Sequence, residues 1–188
     1  MLKKIIGVLL SMVFVLGLSA CGNNTSNNGK SDNSKAKQTT NNSIKESSKS
    51  KLPEMKLNQP FEVKTESGNY TLTIEGARKT DKRNSLSEKK VKEVVFLDYT
   101  YDNKSFGEKD NANLLIDNTT FQVLDDEGNV LDVYPTSDEN RQVLEVPAGG
   151  KCKASEAYAL DTNSKHLKVI FIRGTTGEKI STITVDIK

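Results

Sequence analysis

The 188-residue chain contains no tryptophan, one histidine and two cysteines. Each scarcity removes a class of chemistry. With His166 alone, a multi-histidine zinc site cannot be assembled. A histidine-activated nucleophile would have to use that same residue, which lies in Asn163-Ser164-Lys165-His166, a polar turn where a solvated side chain is expected. No Gly-x-Ser-x-Gly elbow and no phosphate-cradling glycine loop occurs. Six Phe, five Tyr and no Trp give little material for a sugar-stacking platform. No basic stripe with interleaved aromatics is present, so a nucleic-acid partner is not expected. The chain reads as a protein that is not an enzyme and needs neither cofactor nor metal.

Long apolar runs are scarce too. The one that stands out, Ile5 to Leu18, is about 14 residues, against roughly 20 for a membrane-crossing helix. It follows Lys3 and Lys4 and ends in Leu18-Ser19-Ala20-Cys21. A charged start, a short apolar core and small residues before a cut describe a secretory signal peptide. With cysteine first after the cut, the four residues resemble a bacterial lipobox. The resemblance implies a diacylglycerol on the Cys21 thiol and a mature chain that begins there. Its place would be the extracellular face of the cytoplasmic membrane. Each buried methylene contributes about 0.8 kcal/mol, so one acyl chain holds marginally and two or more hold stably.

From Gly22 to Lys51 the chain is Asn, Ser, Thr and Lys with almost nothing apolar. Such a segment cannot offset its ordering entropy by burial and is expected to be a disordered tether. Its root-mean-square reach is roughly 30 Å, and it resembles the tethers of Gram-positive surface lipoproteins. The expected organisation is a signal peptide over 1–20, a lipidated Cys and tether over 21–55, and one domain over 56–188. The tether carries six Lys against two acidic residues, whereas 19 basic face 23 acidic residues from Leu52 onward. The basic sequence pI of about 8.4 therefore does not describe the domain.

The clearest signal in the domain is a two-residue period. Tyr70, Leu72 and Ile74 share one face, and Val95, Leu97, Tyr99 and Tyr101 alternate with Phe96, Asp98 and Thr100. Phe121 and Val123 lead into Asp125-Asp126-Glu127-Gly128-Asn129, a turn expected to feed a strand over Val130 to Tyr134. Leu167, Val169 and Phe171, then Ile183, Val185 and Ile187, complete the pattern. Short β-branched and aromatic runs between Gly, Asn and Asp turns predict an all-β antiparallel sandwich. Only Asp81 to Lys90 and Asn111 to Asp117 could hold a helical turn.

Four blocks carry a further resemblance. They are Val94 to Tyr101 with Asp102-Asn103, Thr120 to Asn129, Val146-Pro147-Ala148-Gly149-Gly150-Lys151, and Leu167 to Phe171. In that order they resemble the immunoglobulin-like domains of unknown function on Gram-positive lipoproteins, a group that shares its fold with a small secreted mycobacterial antigen. The resemblance spans roughly Phe61 to Lys188. It departs from the family where Cys152 to Leu160 turns polar and Ala-rich, and in the charged insert Asp81 to Lys90. It implies fold and location, and no reaction.

The remaining candidates are local. Cys152 lies between Lys151 and Lys153 in an alternating run that points its thiol inward, as a buried small hydrophobe or, alternatively, a redox thiol. The acidic turn 125–129 with Asp132 invites calcium but lacks the twelve-residue loop spacing, and a hairpin turn explains it equally well. Binding is then expected at the loops Asp81 to Lys90, Lys104 to Asn113 and Pro135 to Arg141. Phe106 and Tyr134 are the large apolar side chains in or beside them, hence candidate partner contacts. The expected function is a non-catalytic surface interaction domain for an envelope or host protein. Wall polymer, a metal ion or a small ligand is the alternative.

Overall fold

The computed structural model describes residues 51–87, 90–173 and 176–188. The signal run, Cys21 and residues 22–50 of the tether lie outside the described residues. Among the described residues alternation becomes seven strands: β1 (Phe61–Thr65), β2 (Gly68–Thr80), β3 (Glu93–Asn103), β4 (Phe121–Leu124), β5 (Lys151–Leu160), β6 (His166–Arg173) and β7 (Glu178–Asp186). They form one antiparallel sheet in the order β1-β2-β3-β5 and a second in the order β4-β6-β7. The protein is an immunoglobulin-like β-sandwich. Among the described residues no helix is long and apolar enough to cross a membrane.

The core lies between the sheets. Leu72, Ile74, Leu97, Tyr99 and Tyr101 face Val123, Leu167, Val169, Phe171 and Val185, and all are buried. A β-bulge between Ile74 and Gly76 inserts Glu75 into β2. The extra residue shifts the alternation so that Ala77 returns to the core while Arg78 faces outward. At the β1–β2 turn Gly68 has φ +126, and a Cβ there would lie 2.2 Å from the Ser105 carbonyl oxygen, so only glycine fits.

The structure differs from the sequence reading at four places. The Ala-rich segment Cys152–Leu160 is strand throughout, since small side chains pack between larger neighbours on β3. Val130 to Tyr134 makes only isolated pairings, Leu124 with Val130 and Val133 with Tyr158. Neither 81–87 nor Asn111 to Asp117 is helical; a 3-10 turn lies instead at Asn118–Thr120, capped by the Asp117 side chain. The folded body also starts before residue 56. Met55 donates to the Thr182 carbonyl at 2.9 Å, the Pro53 carbonyl accepts from Thr182 at 3.1 Å, and Met55 is buried.

Candidate functional site

Pro53 to Asn58 forms a short wall along the free edge of β7. Glu54 pairs with Thr182 in parallel, the Ser181 hydroxyl donates to the Pro53 carbonyl at 2.7 Å, and Asn58 donates to the Ile74 carbonyl on β2 at 2.9 Å. Between this wall and the outer face of β6 and β7 runs a groove of about 720 Å³, a size typical of small-molecule sites. Its apolar lining is Leu52, Met55, Leu57, Ile170 and Ile183. Lys51, Lys168 and Lys179 add positive charge, Glu54 adds one negative charge, and the Thr182 and Thr184 side chains add hydroxyls.

Cross-strand register orders these groups. Lys168 stands opposite Thr184, Ile170 opposite Thr182, and Ile172 opposite Lys179. The two lysines therefore mark two ends of a floor whose middle is Ile170. Lys51 pairs with Glu54 at 2.7 Å, whereas Lys168 and Lys179 make no ion pair among the described residues.

The other charged clusters are closed on themselves. Arg141 donates to Glu75 at 2.7 Å, to the Ser155 hydroxyl at 2.9 Å and to the Tyr99 carbonyl at 3.0 Å. Arg78 donates to Asp98 at 2.8 Å and also to Asp138, with its guanidinium 4.7 Å above the Phe96 ring. Burial works against ionisation of Glu75, but hydrogen bonds from Thr100 and Arg141 outweigh it and hold the carboxyl below its usual range. These contacts fasten the segment 132–141 along β5 and over the outer face of its sheet.

The acidic turn is also internally satisfied. Asp125 is buried, and its carboxylate accepts from the backbone of Glu127 and Asn129 and from the side chains of Asn129 and Thr162. Four donors explain why acid sits at this turn. His166 opens β6 with its ring between two carboxylates, Asp126 at 3.0 Å and Asp186 at 3.5 Å. Cys152 points inward, its thiol 3.3 Å from the Gln142 carbonyl.

Of the two candidate contact aromatics, Tyr134 is placed differently from expectation. Tyr134 is 2% exposed and packs on the outer face of the four-stranded sheet with Val94, Phe96, Ala157 and Ala159. It forms a second small core, which the loop 132–141 covers, and its hydroxyl accepts the Asn84 N–H at 3.1 Å. Phe106 is half-buried, edge-on to Tyr70 with ring centroids 6.0 Å apart. Tyr134 is a packing residue in this structure, and Phe106 remains partly exposed. The groove was not legible beforehand, because its wall belongs to a segment that reads as tether and its floor to an outward face that reads as solvated.

No known family model matches the chain, and no curated protein matches it either. Solved structures do resemble it. The secreted protein MPT63 of Mycobacterium tuberculosis is similar at 10% identity with a TM-score of 0.53, over 73% of this chain and 98% of that one. A lipoprotein candidate of Bacillus subtilis, ycdA, aligns at 12% identity and TM-score 0.45 over 62% of this chain and 36% of its own. The yjhA protein of the same species aligns at 12% identity and TM-score 0.48 over 71% and 99%. The likeness to MPT63 extends to the fold, an immunoglobulin-like sandwich.

Proposed function

We propose that this chain is a lipid-anchored binding protein of the bacterial cell surface, with diacylglycerol on Cys21 and an interaction domain that captures its partner without converting it. The groove beside Pro53 to Asn58 carries the binding part of this reading. It combines an apolar floor with two cations that have no ion-pair partner among the described residues, whereas the Arg78, Arg141, Asp125 and His166 clusters are internally paired. The lipobox-like Leu18-Ser19-Ala20-Cys21 carries the location. The tether basicity adds attraction to an anionic surface of roughly 1 kcal/mol per residue close to it.

An envelope or host protein would be contacted through the end loops, but Tyr134 serves packing there, so the groove is the better candidate. The test is metabolic labelling with a clickable fatty acid followed by fractionation. The wild-type chain should be labelled and sediment with membranes, and Cys21→Ala should lose the label. A Cys21→Ala chain that stays membrane-bound and unlabelled alongside an unlabelled wild type would overturn the anchor.

A further inference from the structure

We propose that the groove takes a single-chain amphiphile with an anionic head; this deepens the binding role above and rests on it. The argument starts from charge. The domain has more acidic than basic residues, yet Lys168 and Lys179 project beside one cavity without a carboxylate partner among the described residues. Two such cations at one site favour an anion. Lys179 stands opposite Ile172, four residues along β6 from Lys168, which places the two lysine positions roughly 13 Å apart along the strand.

The middle of the groove decides the rest. Ile170 stands between the two lysines on the floor, Leu52, Met55 and Leu57 also line the groove, and the Lys51 beside them is already paired with Glu54. A wall-type polyanion laid along this floor would bring charges over aliphatic side chains, where they lose water and gain no partner. An acyl chain has the opposite preference, gaining about 25 cal/mol for each Å² of apolar surface removed from water. Its head would sit at one lysine, and the methylene stem of the other can lie along the chain. The chain upstream of Lys51 is a poor occupant, since residues 22–50 carry five Lys against two acidic residues and would be repelled by Lys168 and Lys179.

The experiment titrates the chain from residue 21 onward, carrying Cys21→Ser, with palmitate below its micelle concentration. Amide NMR shifts locate the site and calorimetry gives the affinity. Palmitate should shift residues 168–170 and 182–184. Octanoate and the neutral monopalmitoylglycerol should each bind at least tenfold more weakly. The double variant Lys168→Glu/Lys179→Glu should keep the wild-type melting temperature and lose at least tenfold in affinity. Leu57→Ser, at a partly exposed position, should weaken palmitate more than octanoate.

Equal binding of the neutral ester, full affinity in the charge-reversed variant, shifts confined to other faces, or no binding at all would each overturn the proposal. So would tighter binding of polyphosphate than of palmitate. A gain in affinity on deleting residues 22–46 would show that the upstream chain fills the groove, and would also overturn it. None of these results touches the Cys21 labelling experiment, so failure of the ligand class and failure of the anchored-module reading are separable.

Discussion

Arg141 and Glu75, separated by 66 positions in sequence, meet at 2.7 Å on the outer face of the four-stranded sheet. The bulge in β2 puts Glu75 there, and the pairing of the Ser155 N–H with the Arg141 carbonyl at 2.9 Å delivers the arginine. One side chain thus ties the β4–β5 connection to β2, β3 and β5.

Arg141→Ala should lower stability by roughly 2–4 kcal/mol, because Glu75 and the Tyr99 and Ala154 carbonyls lose a shared donor in a partly buried place. The contribution should depend on pH. The Glu75 carboxyl is held below its usual range in the folded state, so its stabilisation is present above the unfolded value near 4.3 and lost as pH falls through the folded value. Urea melts of wild type and variant should therefore converge in acid. A constant difference down to pH 2 would contradict this.

Glu156 should behave in the opposite sense. Its place on β5, opposite Leu97 and between Ala154 and Tyr158, turns the carboxyl toward the core. Burial raises its pKa, the Asp117 charge adds to this, and the Asn118 N–H at 3.2 Å partly offsets it. The folded state then holds the proton more tightly than the unfolded chain. The penalty appears as pH rises through the raised value and is absent below the ordinary one. Glu156→Gln should raise the melting temperature by a few degrees at pH 7 and leave it unchanged at pH 3.

Tyr134 is expected to matter for folding and not for contact. Tyr134→Ala should cost about 3 kcal/mol, the range for an aromatic removed from a core. Tyr134→Phe should cost about 1 kcal/mol through the lost acceptor for the Asn84 N–H. A stable Tyr134→Ala protein that loses a binding partner would restore the contact role expected from sequence.

Removing residues up to Met55 should destabilise the sandwich as well as remove the wall of the groove. Deleting a buried methionine side chain costs roughly 2–5 kcal/mol, and the Thr182 N–H and Ser181 hydroxyl lose the Pro53 carbonyl. A chain beginning at residue 56 should melt well below one beginning at residue 47, measured by circular dichroism.

The sheets were legible in the sequence wherever one face is buried, because alternation at Tyr70-Leu72-Ile74 and Leu167-Val169-Phe171 has a single solution. In β3 the pattern gives the strand but not what covers its other face, since Val94 and Phe96 are covered by Tyr134 from a distant loop. The pattern fails in β5, where Ala154, Ala157 and Ala159 are too small to announce a strand. The ionic network and the groove depend on bulges, on loop crossing and on Pro53 to Met55 joining an edge. Local period does not encode such long-range pairings.

Binding through the groove, as proposed, can be tested in the intact cell. A photo-crosslinking side chain at position 57, in the groove, can be compared with the same group at position 86, the most exposed large apolar residue among the described ones, 90% exposed at the 81–87 loop. Irradiation of intact cells expressing each full-length variant should give an adduct at position 57 and none at position 86. Adducts at position 86 alone, or at neither position, would contradict the account.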